Sequence, residues 1–431
     1  MNNPIFNRLT LLQFIAWRNI WRNRVRSSLT ISALAGGLIM LILYAALLEG
    51  MSRQMVTYAT DISSSHLQMH RSAYIDDQDI YATIPWSYLT ALENSSLPVE
   101  MAPRLYAAAL ASSKDNSTGV MIKAIDPQRE RHVTKLLTHM RSGKASFTPI
   151  QKNGLTHYPV LIGAQLARNL QLSPGSELVL VTQAIDGSIG NALFEVTGIL
   201  RPLEPNFDRM GVLMSIKAYQ SLMYQEDGFH ELAIKTHNID HLNTLQKQLE
   251  MQIAQLQQRN PLDALGGNVV IRNWKELNPP VADMLELSST MLLIVGLIVI
   301  GLASLGMVNT MLMSVHERTH EFGTLLAIGM KARWLLLMVV MESFYLALIS
   351  AIIGSIIGSA IAKQFENKGI DFSHMMPDGY DWAGVVFEPV MKGYLLPEQV
   401  FQASLLMIVL TMLAALIPSW RIVRLKPAEV I

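Results

Sequence analysis

The chain has 431 residues, half of them hydrophobic and 16% charged, with a mean hydropathy of +0.28. That is greasier than an ordinary soluble protein and too polar for a chain lying wholly in lipid, so membrane spans joined to a sizeable soluble domain are expected. Basic and acidic residues balance at 34 each and there is no cysteine, which excludes a disulfide framework, a thiolate nucleophile and a Cys-ligated metal.

Residues 1–26 predict an amphipathic helix lying in the membrane interface. In "FIAWRNIWRNRVR", Phe14, Trp17 and Trp21 share one helical face, while Arg18, Arg22 and Arg26 recur at i+4 on another. Aromatic rings at headgroup depth and basic side chains near anionic lipid suit an in-plane helix. Residues 27–48 read as a first, uncharged span of the length a bilayer demands. A cleaved signal peptide competes for this segment, but the apolar stretch is too long for one.

Residues 49–286 predict a mixed α/β domain of two subdomains, with roughly 100–205 inserted as the second. "ELVLVTQAI", "ALFEVTGIL", "HLQMH" and "HELAIKT" read as strands. "IGAQLARNLQL" reads as a helix before a Pro-Gly turn, and 239–259 as an amphipathic helix with Leu242, Leu245, Leu249, Ile253 and Leu256 inward. His66 and His70 are four apart, which would suit a metal only on a helix, and "HLQMH" reads as a strand. No HExxH, GxSxG, paired-carboxylate or GxxxxGK[ST] pattern occurs. No catalytic residue, metal site or bound cofactor is expected.

Three further spans follow, at 287–315, 334–362 and 399–420, separated by a loop at 316–333, a second loop at 363–398 and a tail at 421–431. Basic residues near the spans set orientation. The 1–28 segment, the 316–333 loop and the tail together carry eleven Lys and Arg, while 363–398 carries three against six acids. Both termini are therefore expected in the cytoplasm and the α/β domain outside. The second and third spans, 29 residues each, would extend about 44 Å as helices, so they either tilt or project beyond the bilayer. In the third, Ser350, Gly354, Gly358 and Ala362 form a small-residue stripe for close helix packing, against the first span or a second permease chain. In the second, Asn309 and Thr310 are the polar pair, and Glu342 in the third is expected to pair with Arg333 or a basic residue of the tail.

The charged stretch "MSVHERTHEFGTLLAIGMKARWLLLMVVMES" between the second and third spans resembles the cytoplasmic coupling segment of MacB/FtsX-like (type VII) ABC transporter permeases. The resemblance rests on Glu317, Arg318, Glu321, Phe322, Gly323, Ala327, Gly329, Lys331, Arg333, Glu342 and Ser343, with Pro418, Arg421, Pro427 and Glu429 in the tail. His316, His320 and Trp334 depart from the pattern. "LIGAQLARNLQLSPGSELVLV" is similar to an element of the lipoprotein-releasing LolC/LolE family. The resemblance implies a four-helix membrane protein with a large periplasmic α/β domain between helices 1 and 2, in the inner membrane of a Gram-negative cell. It implies a dimer, with an identical or paralogous chain, bound to a separate ABC ATPase that holds ATP-Mg. Coupling would fall to His316, Glu317, Arg318, Glu321, Phe322, Gly323 and Gly329. Glu317 and Glu321 would sit on one short helix, and Gly323 and Gly329 would let the chain turn back. The implied work is extraction of a lipid-anchored cargo, lipoprotein-like, towards a periplasmic carrier. The alternatives are an FtsX-like mechanotransmitter regulating a periplasmic enzyme and a MacB-like efflux permease for peptides or drugs.

Overall fold

The computed structural model describes residues 4–423, other than 96, 115, 153, 203–204, 260, 263–265, 377–379, 383–384 and 388. The principal helices are α1 (Pro4–Arg22), α2 (Arg24–Thr57), α3 (Pro127–Val133), α4 (Leu242–Arg259), α5 (Pro279–Glu317), α6 (Thr319–Ala327), α7 (Ala332–Lys368) and α8 (Pro397–Val423). The chain forms two units, one of residues 1–53, 285–374 and 390–431 and one of residues 54–284 with 375–389. Pro427 and Glu429 lie outside the described residues.

The first unit is helical. The four helices α2, α5, α7 and α8 are each long and apolar enough to cross a membrane. They run past the apolar segments read from sequence, because hydropathy marks where lipid would end and not where backbone hydrogen bonding ends. Helix α2 continues beyond residue 48 with a Glu49–Arg53 pair at 3.0 Å, spaced i,i+4 on its surface. Helix α5 starts with Pro279 and Pro280 in the first turn, where a missing N–H costs little, and its 39 residues reach about 58 Å at 1.5 Å each.

The small-residue stripe of α7 is spent inside the chain. A Cβ on Gly354 would come within 3.0–3.1 Å of Leu38 and the Ala35 carbonyl, and one on Gly358 within 3.1–3.4 Å of Ile42 and Ile39. Ser350 and Ala362 are fully buried on the same stripe. The absence of side chains there lets the α2 and α7 backbones approach, which in lipid replaces area burial as the source of attraction. Helix α8 lies on α7, and Ser355 and Ser404 bond through their hydroxyls at 2.9 Å.

The second unit is built on a sheet, eleven-stranded among the described residues: β1 (Leu67–Arg71), β2 (Val99–Ser112), β3 (Ser117–Ile125), β4 (Met140–Gly143), β5 (Ile150–Lys152), β6 (Leu155–Ile162), β7 (Glu177–Gln183), β8 (Ile189–Leu200), β9 (Gly211–Ser215), β10 (Glu231–Thr236) and β11 (Val269–Asn273). Its order is β11-β1-β10-β2-β3-β9-β6-β8-β4, with β5 on β6 and β7 joining β2 to β8. Pairing is antiparallel except for β3 with β9 and β6 with β8. The four strands expected from sequence are β7, β8, β1 and β10. Long β2 is central: its first half pairs with β10 and its end with β7. Helix α4 buries Leu242, Leu245, Leu249 and Ile253, the stripe its periodicity predicts, while Leu256 is half-buried. The helix expected from "IGAQLARNLQL" is short, Ala164–Asn169.

A polar cluster interrupts the apolar core. Helix α3 starts on Asp126, whose side chain accepts from the Gln128 and Arg129 amides, followed by Pro127 at the first position. That start fixes Glu130 opposite Arg104 of β2. Arg104 donates to both oxygens of Glu130, at 2.6 and 3.1 Å, and to Glu231 of β10 at 2.5 Å. Tyr106 donates to Glu231 at 2.8 Å and Thr134 to Glu130 at 2.6 Å, so each charge of this cluster is hydrogen-bonded. His66 and His70 are absorbed in the same fashion: His66 Nδ1 accepts from the Thr236 amide at 3.1 Å, and His70 Nε2 bonds Gln68 at 3.0 Å.

Candidate functional site

The charged stretch places Glu317 and Glu321 on two different helices, not on the single short helix expected. Helix α5 closes on Glu317. Arg318, at φ −102° and ψ 11°, separates it from α6, whose first turn carries Glu321. The Thr319 hydroxyl donates to the Val315 and His316 carbonyls at 3.1 and 2.7 Å, taking acceptors that a continuing helix would use and favouring a bend. Gly329, at φ +96°, reverses the chain before α7, as expected. Gly323, also expected to form a turn, is instead buried inside α6.

Helix α1 forms the floor of the site. Leu12 and Ala16, four residues apart, pack with Val315, Phe322, Leu335, Met338 and Val339. Its other face leaves Phe14, Trp17 and Trp21 exposed at 64%, 44% and 48%, the aromatic stripe read from sequence. Phe322 is therefore a buried anchor seated on α1.

The charges interlock. Arg26 donates to Glu317 at 2.6 Å, and Arg22 to both oxygens of Glu321 at 3.1 and 3.3 Å. Arg318, with a side chain 10% exposed, donates to Glu321 at 3.0 Å, pairs with Glu342 of α7 at 3.5 Å and lies 5.1 Å over the Phe322 ring. With its amide oxygen turned to Arg318, Asn19 accepts from both terminal nitrogens at 3.0 and 3.2 Å. Glu342 thus pairs with Arg318 and not with Arg333, which lies over Trp334. Burial pushes the Glu321 carboxyl up, but the Arg318 hydrogen bond and the Arg318 and Arg22 charges outweigh it and hold the group below the usual carboxylate range.

Of the residues singled out in sequence, Arg318, Phe322 and Gly323 turn inward, while His316, Glu317, Glu321 and Gly329 stand exposed. Asn19, Arg22 and Arg26 were not among the site residues expected, although Arg22 and Arg26 stand out on the basic face of the N-terminal helix. The available signal was complementary spacing: arginines four apart in one segment and glutamates four apart in another.

Residues 27–252, more than half of the chain, match the family described as MacB-like periplasmic core domain, and residues 293–427 match FtsX-like permease C-terminal. The chain belongs to the MacB/FtsX-like permease family. The lipoprotein-releasing system transmembrane protein LolC of Xylella fastidiosa (strain 9a5c) is 22% identical over 452 aligned positions, covering 100% of this chain and 99% of that one. The pyoverdine export ATP-binding/permease protein PvdT of Pseudomonas entomophila is 22% identical over 79% of this chain and 50% of its own. The periplasmic region of MacB from Actinobacillus actinomycetemcomitans covers 51% of this chain and 94% of its own, at 11% identity and a TM-score of 0.35. As an ABC transporter permease of the LolC/MacB/FtsX type, the chain has the four apolar helices and the α/β domain of periplasmic type that fit a multi-pass inner-membrane protein.

Proposed function

We propose that this permease couples ATP hydrolysis by a separate ABC ATPase to extraction of a lipid-anchored, lipoprotein-like cargo from the outer leaflet of the inner membrane, towards a periplasmic carrier. The observation that carries the reading is the end-to-end alignment with LolC, 100% of this chain on 99% of that one. In this reading both termini are cytoplasmic, and the α/β domain, inserted between the first and second spans, stands in the periplasm. The ATPase, holding ATP-Mg, docks on the α5–α6–α7 turn, and unbroken α5 carries its motion outward. Each buried CH₂ of an acyl anchor costs about 0.8 kcal/mol to expose, which gives ATP a physical task.

A second permease chain, identical or paralogous, completes the machine. Its support is the outward face of α5, where exposed Asn309 stands in line with exposed Leu302, Leu305 and Met313. A side-chain amide inside a span is costly facing lipid and favourable against a polar partner. The test is release of a radiolabelled lipoprotein from vesicles holding the purified permease–ATPase complex. ATP-dependent transfer to a soluble carrier supports extraction. No release, with ATP-dependent activation of a periplasmic enzyme, would establish the mechanotransmitter instead, and ATP-dependent transport of peptide or drug would establish the efflux permease.

A further inference from the structure

Every charged residue of the Glu317–Arg318–Glu321 turn has its partner on another element. Glu317 is held by Arg26 of α2, Glu321 by Arg22 of α1, and Arg318 by Glu342 of α7 together with Asn19 of α1. Three arginines meet three glutamates, so the cluster is charge-balanced and offers a partner little net field. We propose that these charges are a latch and not the docking surface: they fix α6 between α1 and α7, and the ATPase reads α6 through the side chains left outside the latch. This rests on the permease reading above and assigns the N-terminal helix a part in coupling.

Two further features support the division. Phe322, 1% exposed, is seated on Leu12 and Ala16, so apolar packing and ion pairing bind α6 to α1 on the same side. What faces outward includes uncharged side chains: Thr324 is exposed on α6, and Ile328 at the tip is 79% exposed beside Gly329. A large aliphatic side chain on a reversing loop fits an apolar pocket in a protein partner, and the exposed Lys331 and Arg333 that follow fit an acidic rim around it. Arg318 is then a positioning residue. Its planar fork reaches Glu321, Glu342 and Asn19 together, which a lysine ammonium cannot do.

The test is charge exchange in the full chain, purified with the ATPase that accompanies it and placed in nanodiscs. Readouts are ATP hydrolysis per assembled complex, complex yield and melting temperature. Arg22→Glu and Glu321→Arg alone, and likewise Arg26→Glu and Glu317→Arg, are expected to lower hydrolysis per complex several-fold. Each paired exchange is expected to restore it to within about twofold, because coupling between contacting residues is what a double-mutant cycle isolates. Arg318→Lys is expected to fall with the single reversals and Ile328→Ser to lose the ATPase from the purified complex. If a paired exchange stays as low as its glutamate reversal, the glutamate acts on the ATPase directly and the latch is wrong. Single reversals that change melting temperature but not hydrolysis per complex also overturn it, by reducing the pairs to stability alone. Full ATPase retention by Ile328→Ser overturns the assignment of the tip. Wild-type chain that never accompanies an ATPase would instead remove the permease reading on which the latch rests.

Discussion

Arg104 and Glu130 face each other in the core of the α/β domain with both side chains at 0% exposure and two hydrogen bonds between them. The pair joins β2 to α3, and through Glu231 also to β10. Burying such ions is expensive, and the geometry offsets the cost only while each keeps its partner. Replacing Arg104 with Met would strand two carboxylates, so destabilisation of about 3–5 kcal/mol is expected. Adding Glu130→Gln and Glu231→Gln should recover most of it. By contrast, Arg129→Ala at the half-exposed Arg129–Glu93 pair should cost no more than about 1 kcal/mol. Thermal unfolding of the full chain in detergent would check both. An Arg104→Met chain as stable as the parent would refute the account.

Acid should destabilise this domain in two stages. Burial holds His70 and His230 below the usual imidazole value, and the opposing pull of Glu231 is weaker. His230 is fixed by accepting from the Tyr106 amide at 2.9 Å and donating to the Ile80 carbonyl at 2.7 Å. The unfolded chain takes up these protons below about pH 6.5 while the folded chain resists them, so stability falls from there towards the folded values. For Glu130 and Glu231, burial pushes up but the Arg104 charge wins, leaving both carboxyls low. Their contribution is complete above the unfolded value near about 4.3 and is lost only as pH falls through the folded values. A melting-temperature series should stay level from pH 8 to 7, then decline below about 6.5, less steeply in His230→Gln. An identical decline in that variant and in His70→Gln would rule out the histidines.

At the α2–α7 crossing, Gly354 leaves no room for a side chain larger than a methyl, and even a methyl meets Leu38 and the Ala35 carbonyl closely. Gly354→Leu should therefore force the helices apart at a cost of about 1–3 kcal/mol. Gly301→Ala on α5, where a Cβ meets nothing within 4 Å, should be nearly neutral. The two variants share a membrane and a residue type, so comparing their melting temperatures in one lipid separates helix contact from generic glycine loss. Equal effects would dismiss the crossing as the cause.

How far such features could be read in the sequence depends on their separation along the chain. The four long helices and the Ser350–Gly354–Gly358–Ala362 stripe are local patterns, and both are present. The strands of "HLQMH" and "HELAIKT" were visible for the same reason, but their neighbour relation was not: β1 and β10 pair across more than 160 residues. Arg104, Glu130 and Glu231 carry no periodic signal, because burial is decided by the sheet that gathers them. The Arg26–Glu317 and Arg22–Glu321 pairs span 291 and 299 positions. The bend at Arg318 escaped notice because hydrophobic periodicity runs through it, whereas Thr319 bonds two carbonyls of the preceding turn.

Gly329 offers the most local test of the turn that follows. Its φ of +96° is one L side chains rarely adopt, and a Cβ there would meet nothing within 4 Å. Any cost of substitution is therefore backbone strain, without a clash to confuse it. The amides of Ile328, Gly329 and Met330 close α6 by bonding the Thr324, Leu326 and Leu325 carbonyls at 3.0–3.1 Å, and this ending depends on the left-handed residue. Gly329→Val should cost about 1–2 kcal/mol, lost as fraying of the end of α6, while Gly329→Asn, which tolerates the left-handed region, should lose much less. Hydrogen exchange at those three amides would read the fraying directly. Protection in Gly329→Val equal to that of the parent would mean that the turn does not need its glycine. Faster exchange in Val than in Asn would tie the shape of the α6–α7 turn to one backbone angle.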